Sequence, residues 1–247
     1  MKQGSFNTIL LLVAFSVGFS IHYLVFGAAP EKTLLHDLFQ GGPLIAVLMA
    51  MSILVVTYIV ERSLSIKKAQ GTGDTTVFLK SVVKNVTENN FAEAVKVCDK
   101  QRGSMANILK SGISRYLELS GTKGVEKKEK ISEVKRVFEE TTMLEMPVLE
   151  KNLVSLSTIA SIATMVGLLG TVIGMIRSFA ALAKAGSADA VGLSRGISEA
   201  LFNTAGGIGL AIVGIVAYNF FTTKIDGITY VIDEATKDLL DNLNSKN

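Results

Sequence analysis

The chain has 247 residues, is 49% hydrophobic and has a mean hydropathy of +0.41, too apolar for an ordinary soluble domain of its size. A net charge of +3 is too small to point to nucleic acid, and one cysteine, Cys98, excludes an internal disulfide. What remains is a polytopic helical membrane protein, so runs of about 18 or more residues without charge are the elements to seek.

Four such runs occur. Ser5–Ala29 is interrupted only by His22. With Lys2 before it and Ala28-Ala29 at its end it could be read as a secretory signal, but it exceeds the usual signal core of about 7–15 residues, which favours a retained span. This N-terminal span and a periplasmic linker occupy residues 1–37. Leu38–Val60 is the second run, continuing as helix through Glu61-Arg62 to Lys68 (residues 38–68) until Gly71 and Gly73 break it. Residues 69–151 carry helical spacing of apolar positions: Val77, Phe78, Val82, Val83 and Val86; Phe91, Ala94, Val95 and Cys98; then Ile108, Leu109, Ile113, Tyr116 and Leu117. A charged helix from Val125 leads towards the third run, with a kink expected at Pro147.

The third run, Asn152–Ile176, forms a span over residues 152–179, and after a loop at 180–195 the fourth, Gly196–Thr223, forms a span over 196–223; 224–247 is a tail. A helix of 25 residues is about 37 Å long, enough to cross a hydrocarbon core of about 30 Å with some tilt. Of the 25 Lys and Arg residues, 17 lie between Glu61 and Lys151. The positive-inside rule makes that segment and the tail cytoplasmic, and its bases are placed to meet anionic membrane lipids.

Function is concentrated in the last two spans. Ser157, Ser161, Thr164, Thr171 and Ser178 fall within about 100° of a helical wheel, a stripe suited either to close helix packing or to a watery or polar face. Gly167, Gly170 and Gly174 in one span, and Gly206 and Gly207 in the other, permit close helix packing. Between Gly196 and Thr223 the only side chain charged at neutral pH is Glu199, with Asn203 and Gly206 on its face and Thr204 about 140° round. Such an acid either sits at the helix end, helped by the N-terminal dipole, or is buried and exchanges a proton. No metal-ligand cluster, nucleotide loop or activated nucleophile is present, so no enzymatic chemistry, cofactor or metal is expected. One acid is not a path across about 30 Å of hydrocarbon, so the chain reads as one wall of an assembly whose other stations lie on a partner.

Val166-Gly167-Leu168-Leu169-Gly170-Thr171-Val172-Ile173-Gly174-Met175-Ile176, then Ser178-Phe179, resembles a signature of the MotA/TolQ/ExbB proton-channel family. So do Gly196-Ile197-Ser198-Glu199-Ala200-Leu201-Phe202-Asn203-Thr204-Ala205, Tyr218-Asn219-Phe220-Phe221 and Glu61-Arg62, and the ExbB branch is the most similar. The resemblance implies a homopentamer in a bacterial inner membrane, its central pore lined by the last two helices. Within the pore it implies two helices of a single-span ExbD-like partner, and beyond them a TonB-like protein that delivers work to outer-membrane transporters. Glu199, Thr204 and Thr171 match positions at or near that pore. A further pore threonine aligns with Ile162, a departure for which Ser161 or Thr164 stands in. The extra first span departs from a three-span pattern and is similar to the MotA branch. The alternatives are a TolQ- or MotA-like stator, and, in a different class, a passive membrane scaffold in which Glu199 only packs.

Overall fold

A computed structural model describes residues 3–31, 33–122, 126–184 and 189–245. Among them all regular structure is helical. The chain folds as two compact units, Met1–Val60 with Asn152–Phe220, and Glu61–Lys151 with Phe221–Asn247.

The first, apolar unit begins with α1 (Gln3–Ser20), whose Ser16 and Ser20 hydroxyls donate to Leu12 O and Ser16 O at 2.8 and 2.7 Å, so neither needs an outside partner. The helix widens into a π-helical turn (Ile21–Phe26) that buries His22 among the rings of Tyr23, Phe26 and Phe39. Short α2 (Leu34–Gln40) starts at Thr33, whose Oγ1 accepts from His36 N, and ends at Gly41. Here the structure differs from a run continuous from Leu38. Gly42 has φ +73°, a left-handed value that breaks the helix, and α3 restarts at Pro43 and extends to Gln70.

The last two spans are α8 (Leu153–Lys184) and α9 (Ala190–Ser245), the latter one helix of 56 residues. Both are longer than their hydropathy runs. Ala180-Ala181-Leu182-Ala183 are strong helix formers, and Asp189 Oδ1 accepts from Gly192 N at 2.9 Å at the opposite helix start. Of the loop expected at 180–195, residues 185–188 lie outside the described residues. In this unit Ile45, Leu48 and Met51 of α3 pack on Ala163 of α8, with Phe202 and Leu210 of α9 against them. Helices α8 and α9 touch at the backbone: a Cβ on Gly207 would lie 2.9 Å from Gly167 Cα. Only glycine at this crossing permits that distance.

The second, polar unit holds the end of α3, α4 (Thr75–Thr87), α5 (Phe91–Gln101), α6 (Ser104–Gly121), α7 (Lys127–Glu150) and the C-terminal part of α9. Most of its apolar positions are buried: Phe78, Val82, Val86, Ala94, Cys98, Ile108, Leu109 and Ile113 turn inward, whereas Val77 and Leu117, read from the same spacing, are exposed because they fall outside the buried arc of their helices. Asp74 caps α4, accepting from Thr76 N and Val77 N at 2.8 and 3.0 Å. Arg62 is fully buried, paired through its fork with Glu61 and donating from Nη1 to Leu149 O at 3.1 Å. Pro147, where a kink is expected, lies inside α7. Helix α7 continues through Pro147, and the chain turns at Lys151 and Asn152, where Asn152 has φ +61°. Arg62 satisfies one of the carbonyls left open at this helix end, and asparagine is among the residues best able to adopt a left-handed φ.

Candidate functional site

Glu199 lies on α9 about two and a half turns after that helix begins at Ala190, beyond the reach of a helix-end dipole. Its side chain is 7% exposed, enclosed by α8 and by the corner joining α2 to α3. An acid buried this deeply needs compensation. It comes from α8, where Arg177 Nη1 donates to Glu199 Oε1 in an ion pair. The arginine is the more exposed partner, with 54% of its side chain accessible, so the guanidinium reaches inward from the edge of the unit.

The corner completes the enclosure. A Cβ on Gly42 would lie 2.6 Å from Glu199 Oε1, so the carboxylate rests on bare backbone. One turn along α9, Asn203 is completely buried, and its Nδ2 donates at 2.8 Å both to Gly41 O and to Glu199 O. Among the described residues Asn203 Oδ1 has no hydrogen-bond partner. Opposite it a Cβ on Gly170 would come within 2.2 Å of Asn203 Cβ, and one on Gly174 within 2.6 Å of Gly196 O. Glycine at these places lets α8 close over the acid and the amide.

The hydroxyls do not converge on this carboxylate. Thr204 is half-buried and its Oγ1 donates to Gly167 O at 3.3 Å, whereas Thr171 Oγ1 donates within its own helix to Leu168 O at 2.5 Å. Ser161 and Thr164 are exposed on α8, the former donating to Ser157 O at 3.0 Å. Ser178 leaves the stripe altogether. It is buried under α9, donating to Leu193 O at 3.2 Å, because glycine at 196 opens the space beside it. Gly206 is exposed, with only Leu48 near a Cβ built there, unlike the enclosed Gly207.

A cavity of about 490 Å³ in the same unit, lined by Leu48, Ser52, Phe202 and Gly209 among others, is apolar; its Ser52 hydroxyl is already bonded to Met49 O. Among the described residues no three His, Cys, Asp or Glu side chains are grouped to hold a metal ion. The arrangement thus holds a compensated charge at Glu199. Sequence reasoning identified Glu199 and missed Arg177, Gly41 and Gly42 as its surroundings. The available signal was the Gly41-Gly42-Pro43 run, which marks a turn inside an apolar segment.

A family model described as the MotA/TolQ/ExbB proton channel family matches residues 100–234. A putative biopolymer transport protein, ExbB-like 3, of Synechocystis is 30% identical over 183 residues, which is 73% of this chain and 81% of the relative. The Tol-Pal system protein TolQ of Pseudomonas aeruginosa is 34% identical over 117 residues, 47% of this chain, and only about half (51%) of the relative's length is covered. The biopolymer transport protein ExbB of Aquifex aeolicus is 36% identical over 114 residues, 46% of this chain and 69% of the relative.

Proposed function

The chain belongs to the MotA/TolQ/ExbB proton channel family, and on that premise we propose that it is the channel subunit of a proton-driven motor in a bacterial inner membrane. It is a multi-pass membrane protein, with four helices among the described residues long and apolar enough to cross a bilayer, and its family is one of transport, not of enzymes. The observation that carries the reading is Glu199: a buried carboxyl, alone among the side chains of a membrane-spanning stretch, held by a half-exposed arginine. Burying an acid there is costly even when paired, and ionisable residues at membrane depth as a rule mark ion or proton pathways.

In this reading five copies enclose a pore lined by α8 and α9, with the polar unit in the cytoplasm. The exposed hydroxyls of Ser161 and Thr164, with Thr171 and Thr204, provide stations for water along the wall. A single acid per chain leaves the path incomplete, so an ExbD-like single-span dimer brings the second carboxyl, and a TonB-like protein carries the work to outer-membrane transporters. The test is Glu199→Gln in cells that depend on that uptake, with assembly checked by co-purification of the single-span partner. Loss of uptake in an assembled complex is the expected result. Normal uptake would leave Glu199 a packing residue and the chain a scaffold.

The similarity to TolQ favours one second reading, a stator serving envelope maintenance or motility. The identity of the co-purifying single-span protein separates the two.

A further inference from the structure

Compensation of Glu199 comes from within its own subunit, and the two partners of the pair are unequal. The glutamate side chain is 7% exposed and the arginine side chain 54%. When such a pair opens, the guanidinium moves into a more hydrated place at little cost, while the carboxylate stays behind in a site that cannot tolerate an unpaired charge. We infer that Arg177 is a positioning residue: it clamps Glu199 inside the subunit, and its departure obliges the carboxyl to take a proton. The inference rests on the proton-motor reading and adds to it the step that controls access to the acid.

The surroundings restrict the alternatives. Around the carboxylate, α8 supplies Arg177; α9 carries Arg195 one turn earlier, exposed; α2 carries His36 and Asp37 ahead of the corner. Among the described residues only Arg177 bonds to the Glu199 side chain. The corner itself offers only the backbone of Gly41 and Gly42, and Gly41 O is already engaged by Asn203. A Cβ on Gly42 would lie 3.6 Å from Arg177 Nη1 as well as touching the carboxylate, so both halves of the pair rest on the same bare stretch of chain. Charge compensation of Glu199 thus depends on one flexible side chain, which makes it separable by mutation.

The experiment uses the complex with its single-span partner in native membranes, probed with dicyclohexylcarbodiimide. A protonated carboxylic acid adds across one C=N bond of that reagent, its proton going to nitrogen and its oxygen to carbon. The adduct rearranges to an N-acylurea with nothing lost, which mass spectrometry of the Glu199 peptide detects. Arg177→Gln should label about five- to thirty-fold faster than the native chain, the range for loss of one ion pair with a half-exposed partner. Arg177→Lys, which keeps the cation, should stay within about two-fold of native. Arg177→Met keeps the stem without the charge, should label like Arg177→Gln, and replaces it if that variant does not assemble. In proteoliposomes under a pH gradient, the neutral variants should leak protons faster than native, and adding Glu199→Gln should abolish the excess. Labelling at the native rate in assembled neutral variants overturns the clamp, as does Arg177→Lys labelling as fast as Arg177→Gln. If the clamp alone is wrong, Glu199→Gln still abolishes uptake while Arg177→Gln labels normally; if the motor reading is wrong, uptake survives Glu199→Gln.

Discussion

Asn203 offers the sharpest test of how the acid is enclosed. It is completely buried and its Nδ2 ties α9 to the α2–α3 corner through Gly41 O at 2.8 Å. Asn203→Ala deletes that donor and orphans the Gly41 carbonyl, a cost of about 1–3 kcal/mol for a buried acceptor. The second bond, to Glu199 O, costs less to lose, because that carbonyl has its own helical partner. Against this, alanine also removes Oδ1, which is buried without a hydrogen bond in the native chain and returns about 1 kcal/mol. The small cavity left behind adds a comparable loss. The net is a destabilisation of about 2 kcal/mol, which corresponds to a fall in Tm of about 4–8 °C for a chain of this size. Asn203→Asp is the harsher change at equal volume, since an oxygen replaces the amide nitrogen facing two carbonyl oxygens. Thermal unfolding of the purified protein in detergent, followed by the loss of its monodisperse peak, reads both. Asn203→Ala melting within about 1 °C of native, or Asn203→Asp melting above Asn203→Ala, would refute the proposed tie.

Two further outcomes concern the polar unit. Burial pushes the Cys98 thiol up to about 12 from an ordinary 9.0, with Asp99 adding to the rise. The folded state therefore keeps a proton that the unfolded state loses above pH 9, so stability falls as pH rises, by up to about 1.4 kcal/mol per unit between those two values. Denaturant titrations of native protein and Cys98→Ala from pH 8 to 11 should differ in slope by that amount, and parallel curves would count against it. Arg62→Met removes the charged donor to Leu149 O at the end of α7. Because Glu61 is 32% exposed and can rehydrate, the loss is about 2–3 kcal/mol rather than that of a fully buried pair. Faster tryptic cleavage after Lys151 reports it, and an unchanged rate would show that Arg62 does not hold this helix end.

Much of the fold was legible in the chain because each signal was local. Runs without charge marked the apolar helices, and the spacing of Phe78, Val82 and Val86, or of Ala94 and Cys98, placed buried faces correctly. Helix ends were read less well. The end of α7 lies beyond Pro147, where a distant side chain, Arg62, donates to Leu149 O, a contact that no local signal announces. The Leu38–Val60 run looks continuous because hydropathy is blind to the φ of Gly42. Ser178 shares a wheel sector with four other hydroxyls, but the wheel does not reveal that glycine at 196 brings α9 over it.

The same division applies to the site. That one acid stands in an apolar stretch among glycines and hydroxyls is a property of residue order, and so is membership of a channel family. Which cation meets that acid is not, because Arg177 and Glu199 are 22 residues apart and on different helices. Their pairing, the bare floor at Gly42 and the amide bridge from Asn203 arise only when α8, α9 and the α2–α3 corner approach closely enough for polar groups to be desolvated together. Contact across helices sets that geometry, and no periodicity within a single helix encodes it.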